Sequence, residues 1–179
     1  MAAPPRDPVS ELGSAPAPPL NDEDHRRGPE GAPLLIQYAD FECPFCAVIH
    51  ARLAATPVQL VFRHFPVRSG HPRAWAAACA AEAAGNQGRF WEMHDSLLAD
   101  QARLEDPHLW DRARRLGLDL HRFDAERRSD AVTARVRRDF RSGVRAGVVG
   151  TPAVFLLDGG TAVRLGKAGV ERVLAGSAA

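Results

Sequence analysis

Cys43 and Cys46, in the stretch "ADFECPFC", are the residues of this 179-residue chain best suited to covalent chemistry. A short apolar run, "APLLIQYAD", leads into them, and "FCAVIHARLAA" carries helix formers from there to Pro57. That order predicts a buried strand over about 34–39 and a helix opening at the cysteines, with Pro44 tolerated in its first turn. A cysteine at a helix start faces unpaired N–H groups and the positive end of the helix dipole. Both favour thiolate over thiol and lower the pKa from its usual ~8.5. A second cysteine one turn further on lies close enough to close a disulfide. Attack by Cys43 on a substrate disulfide, followed by resolution by Cys46, is thiol–disulfide exchange.

Two other readings of the pair stay open on the residues alone. Half a zinc site would need two more ligands, and His50 with His64 or His71 would have to supply them. Structural zinc sites normally sit in turns with two ligand pairs at defined spacings, and there is no second C-x-x-C. His50 reads better as a helix-surface residue. Unrelated core thiols are the third reading.

The elements that would hold the pair are legible on either side. "VQLVFRHF" alternates and predicts a strand over 58–65, which completes a βαβ unit. A helical block follows over about 72–147. Its last helix carries an apolar stripe (Val132, Val136, Phe140, Val144) and an arginine stripe (Arg135, Arg138, Arg141, Arg145). The arginines read as a solvated face, with an acidic partner as the other use. After "GVVGTP" the pattern returns to β: "AVFLL", a turn at Asp158-Gly159-Gly160, and "TAVRL" form a hairpin, and a short helix closes the chain. Thr151-Pro152, opening a strand, is a candidate cis peptide bond.

Composition sets outer bounds. A formal charge of +1 gives no overall field toward nucleic acid or anionic membrane. Lys167 is the only lysine, so nearly all basic residues are arginine. Six prolines in the first twenty residues interrupt every apolar run there, so 1–30 reads as a disordered Pro/Ala-rich tail and not a leader. No segment approaches the ~20 apolar residues of a membrane span. On that reading the protein is cytoplasmic, where three cysteines suggest redox or metal chemistry and not a disulfide framework.

Several blocks in their order are more specific than C-x-x-C alone: "DHRRGPEGAPLLIQYADFECPFC", "FRHFPVRSGHPRAWAAACAAEAAGNQGRFWEMHDSLL" and "RAGVVGTPAVFLLDG". Over residues 24 to about 160 the chain resembles the DsbA-like branch of the thioredoxin superfamily. The resemblance is to its short thioredoxin domains, some of them fused to sodium/proton antiporters. It implies an α/β thioredoxin fold in residues 31–179, with a mixed four-stranded sheet. The helical insertion at 72–147 would lie between the βαβ and ββα halves. It further implies that Cys43 is the nucleophile, Cys46 the buried resolving thiol and Pro152 the family's cis-proline. Thr151 would hydrogen-bond beside the sulfurs, Pro44 and Phe45 would tune the potential, and Phe41 and Phe65 would help form an apolar surface.

One position departs from the family. Gln37 stands where members commonly carry a buried acid beneath the pair, and Asp40 and Glu42 are the nearest acidic residues. Cys79, in an Ala-rich helix, and His94 read as structural. The expected activity is that of a thiol–disulfide oxidoreductase acting on protein or small-molecule thiols, recycled by a redox partner the sequence does not identify. No cofactor, metal or nucleic acid is expected. The competing functions are a redox-responsive binding module and a DsbA-related isomerase or glutathione-transferase-like enzyme.

Overall fold

A computed structural model describes residues 17 and 19–176. The tail reading for residues 1–16 and 18 lies outside the described residues. Five strands form one mixed sheet in the order β1-β3-β2-β4-β5: β1 His25–Arg27, β2 Leu34–Ala39, β3 Gln59–His64, β4 Ala153–Asp158 and β5 Thr161–Leu165. β2 runs parallel to β3 and antiparallel to β4, so it lies at the centre with all six residues buried. A strand covered on both faces has no solvent side, which is why "LLIQYA" reads as a continuous apolar run.

Helix α1, Pro44–Ala54, connects β2 to β3. The insertion comprises α2 Ala74–Gly85, α3 Phe90–Ala99, α4 Asp106–Arg115, α5 Leu120–Glu126 and α6 Asp130–Arg145, and α7 is Lys167–Leu174. Side chains alternate along β2. Leu35 packs with Leu53 of α1 and Val173 of α7, whereas Ile36 and Tyr38 pack with Phe155 and Ala146 on the opposite face. Ala39 and Phe62 join Cys46 and the inserted helices in the largest cluster. Helix α6 lies close against the sheet at Gly143, where a Cβ would come within 2.6 Å of the Phe65 ring.

The fifth strand, β1, is the difference from the expected four. His25 to Arg27 pair antiparallel with Phe62 to Leu60 of β3. The stretch before it is also engaged. Asp24 accepts from Arg63 Nε at 2.9 Å and Nη2 at 2.8 Å, and the Pro19 carbonyl accepts from Nη2 at 2.9 Å. These residues fall inside the stretch read as tail. A composition rule scores apolar burial, and this segment is held by backbone pairing and a buried ion pair instead.

The arginine stripe on α6 is only partly a solvated face. Arg141 and Arg145 are exposed, but Arg135 bonds Asp139 and the Glu23 carbonyl, and Arg138 pairs with Glu23. Val144, placed in the apolar stripe, is exposed. No helix among the described residues is long and apolar enough to cross a membrane.

Candidate functional site

β2 ends at Ala39 and hands the chain to α1 through Asp40–Cys43. Cys43 is the N-cap of α1 in extended conformation, and Pro44 opens the first turn. The Cys43 carbonyl accepts from the N–H groups of Cys46, at 3.0 Å, and Ala47, at 3.4 Å. Across the sheet, β4 begins just after a cis Thr151–Pro152 bond. Cys43 Sγ lies 3.4 Å from the Thr151 carbonyl, so the topology joins two loops 108 residues apart at one sulfur. That carbonyl can hold only the protonated thiol, because a thiolate has no hydrogen to donate.

The two sulfurs sit in unlike environments. A hydrogen bond from the Cys46 thiol is the largest influence on Cys43. Burial opposes it, and the Thr151 side chain and the backbone N–H groups of Cys46 and Phe45 reinforce it, bringing the pKa down to about 5. Cys46 has no exposure and Cys43 retains 4%. Burial and the neighbouring Cys43 push the Cys46 thiol far above the ordinary range. The two thiols thus differ in acidity, and both are buried.

Around the pair, Asp40 contributes its backbone. Its N–H reaches Cys46 Sγ at 3.5 Å. Its carboxylate accepts from the N–H groups of Glu42, at 2.8 Å, and Val67, at 2.7 Å, and contacts His71 Nδ1 at 2.8 Å. Burial lowers the His71 pKa, but the Asp40 contact and the charges of Asp40, Cys43 and Glu42 outweigh it and the net direction is up. Glu42 is turned toward α2, accepting from Arg73 N–H and Nε at 2.8 Å each. Gln101 Nε2 donates to the Phe41 and Cys43 carbonyls at 2.8 Å and braces the loop from the insertion. Neither Arg73 nor Gln101 carries a local sequence signal. Gln37 is fully buried on β2, and neither its amide nitrogen nor its amide oxygen has a protein partner.

Phe45 is 70% exposed, and with Val48, Ile49, Pro152, Leu165 and Val170 it lines a largely apolar groove of about 440 Å³ next to the Cys43–Cys46 turn, which Arg52, Lys167 and Glu171 also border. Phe41 does not contribute to that surface. It is core, stacked against Phe62 at 5.3 Å between ring centroids. Phe65 borders a separate hollow with Pro66, Trp75, Phe140 and Val149. Cys79 is buried in α2, and burial raises its pKa to about 11. His94 is buried among Phe41, Phe62 and Trp91.

Two of the three histidines named for a zinc reading go elsewhere, and His71 is held by Asp40. His50 converges with His94 and Asp95, and His64 with His25 and Glu82. Neither group includes a cysteine.

Comparison with known proteins gives a consistent result. Residues 54–175 match the family model described as a DSBA-like thioredoxin domain, a stretch that begins after the two cysteines. The Na(+)/H(+) antiporter NhaA 1 of Salinispora arenicola is 44% identical over 141 residues, 75% of this chain and 22% of the antiporter. The antiporter NhaA of Herminiimonas arsenicoxydans is 44% identical over 149 residues, 78% of this chain and 23% of that protein. The chain thus spans less than a quarter of these relatives' length. Among solved structures, a thioredoxin-like oxidoreductase from Silicibacter pomeroyi superposes with a TM-score of 0.72 at 24% identity, covering 89% of this chain and 95% of that one. BdbD from Bacillus subtilis, in its oxidised form, gives 0.71 at 14% identity, covering 92% and 97%. The fold those structures share is the one described here, and on the family-model match this chain belongs to the DSBA-like thioredoxin domain family.

Proposed function

We propose that the chain is a thiol–disulfide oxidoreductase in which Cys43 is the attacking thiolate and Cys46 resolves. The observation that carries this reading is the unlike placement of the two sulfurs: Cys43 caps α1 beside the Thr151–Pro152 turn, where its pKa is lowered to about 5, and Cys46 is fully buried, which pushes its thiol up. Cys43 Sγ attacks a substrate disulfide and forms a mixed disulfide, and one substrate sulfur leaves as thiolate. Cys46 then gives up its proton and attacks Cys43 Sγ, which expels the second substrate thiol. Two electrons pass from the pair to the substrate, and the reverse sequence oxidises a dithiol. The groove beside Phe45, Val48 and Pro152 would hold apolar residues flanking the substrate cysteine, with the Thr151 carbonyl available to an incoming N–H group. Asp40 would act through its N–H on Cys46, and Gln37 would keep the space beneath the pair uncharged.

A stabilised thiolate stabilises the dithiol and makes the disulfide more oxidising. At a cytosolic glutathione poise of about −220 to −260 mV such a pair is held reduced. In the cytoplasm it would therefore work from its dithiol form. Equilibration of the pair against glutathione measures its potential. Multiple turnover of a peptide disulfide distinguishes an enzyme from a binding module. Cys43→Ser should abolish exchange, and Cys46→Ser should trap mixed disulfides on Cys43. Exchange that persists in Cys43→Ser would overturn the assignment.

A further inference from the structure

On the insertion side of the sheet, three side chains from three elements meet at one oxygen. His25 of edge strand β1 and His64 at the end of β3 approach Glu82 Oε1 of α2 with their Nε2 atoms, at 2.8 and 2.7 Å. Pairing of the two strands produces this: His25 lies opposite Phe62, so His64 is its diagonal neighbour two residues along β3. The Phe90 ring stacks on His25 at 3.3 Å and fixes the plane of its imidazole. His64 and Glu82 are buried, and His25 keeps 20% of its side chain exposed. An opening of about 310 Å³, bordered by His25, Glu82, Asn86, Val132 and Arg135, reaches two of the three residues from solvent, with His64 buried outside its lining.

From this we propose that His25, His64 and Glu82 form a binding site for zinc or a similar transition-metal dication, with its remaining coordination position facing the opening. Two imidazole nitrogens and one carboxylate oxygen are a ligand set that zinc accepts, with room for a water as fourth ligand. All three atoms lie within 4.8 Å of one another. Tetrahedral bonds of ~2.0–2.1 Å place ligand atoms about 3.3 Å apart, so each imidazole need withdraw from Glu82 by only about 0.5 Å. The metal takes the place of the hydrogens now shared with the carboxylate. Arg135 is the competing cation, with Nε 3.8 Å from Glu82 Oε1, but Asp139 and the Glu23 carbonyl hold its guanidinium elsewhere. The second cluster, His50, His94 and Asp95, is less suited. Arg27 occupies both Asp95 oxygens at 2.9 Å. His64 Nδ1 is buried without a partner. A missing outer partner of that kind typically costs about 10–100-fold in affinity, so the site should bind reversibly and not as a permanent structural zinc.

Bound metal would tie the edge strand to the insertion, and the test reads both binding and that tie. The full chain, with Cys43 and Cys46 oxidised to their disulfide so that neither is a ligand, is freed of metal and titrated with Zn²⁺, Co²⁺ and Mg²⁺. One Zn²⁺ per chain is expected, with a raised melting temperature. The Co²⁺ spectrum should show visible d–d bands without the sulfur charge-transfer band of a thiolate site, and Mg²⁺ should not bind. His25→Ala, a partly exposed change, should weaken Zn²⁺ at least tenfold and remove the thermal shift, with the fold checked by circular dichroism. His50→Ala should change neither. No Zn²⁺ binding by the native chain, or binding that survives His25→Ala, would overturn the proposal, as would a loss caused by His50→Ala instead.

Discussion

Replacing Cys46 tests the asymmetry on which the proposed chemistry depends. Its thiol is the largest influence lowering the Cys43 pKa to about 5. A hydrogen bond to a charged group contributes about 1.5–3 kcal/mol, and one pKa unit corresponds to about 1.4 kcal/mol. Cys46→Ala should therefore raise the Cys43 pKa by roughly one to two units, to about 6–7. Cys46→Ser retains a donor and should stay closer to the parent value. The pKa is read from ultraviolet thiolate absorbance and from the pH dependence of alkylation by iodoacetamide. The same ionisation carries a stability term. The folded pKa lies below an unfolded value near ~8.5, so the reduced fold gains stability as pH rises and loses it as pH falls through about 5. At pH 7 the term is roughly 2–3 kcal/mol, equivalent to about 60 mV in the potential. The oxidised protein lacks it. Denaturant unfolding of both forms between pH 5 and 8 should thus show the reduced form gaining on the oxidised one. The upper limit avoids ionisation of Cys46 in the unfolded chain. An unchanged Cys43 pKa in Cys46→Ala would refute the reasoning and assign the shift to the helix N–H groups. Equal rises in the Ala and Ser variants would assign it to packing.

Other expectations follow from the groups around the pair. Gln37→Glu puts a buried charge on β2, the strand that leads into the pair, so it should raise the Cys43 pKa, make the potential more negative and speed release of the mixed disulfide near neutral pH; an unchanged pKa in thiolate titration would show that residue 37 does not act on the pair. Gln37→Met removes an amide with no protein partner and should stabilise the fold by about 1 kcal/mol in denaturant unfolding, whereas a loss would reveal a buried water serving that amide. Asp24→Ala removes the carboxylate that both Arg63 Nε and Nη2 contact, and should cost about 3–5 kcal/mol in the same assay. Phe45→Ser should raise KM for peptide disulfides more than for a small aromatic disulfide, because it strips the groove and leaves the sulfurs in place; equal effects on both would place the peptide elsewhere.

The sequence by itself determined the local elements and the placing of the two cysteines. The strand at 34–39, the helix opening at the cysteines, the hairpin around Gly159-Gly160 and the final helix all rest on periodicity and turn residues within a few positions of one another, and each is present. The spacing of Cys43 and Cys46 is likewise local, so their position at the start of α1 was legible from "ADFECPFC". Tertiary structure decided what depends on distant partners. β1 is a three-residue strand with no apolar pattern of its own, and it exists because β3 offers a free edge. The Arg63–Asp24 pair joins residues 39 apart, and His25 reaches Glu82 across 57. Such contacts are made by polar residues whose types alone read as surface. Asp40 and Glu42 could be named near the pair but not oriented. Only the fold showed their carboxylates turned toward Val67, His71 and Arg73, with the Asp40 N–H left to face Cys46. A side chain's direction is set by what packs around it, and here those neighbours come from segments that sequence distance keeps far apart.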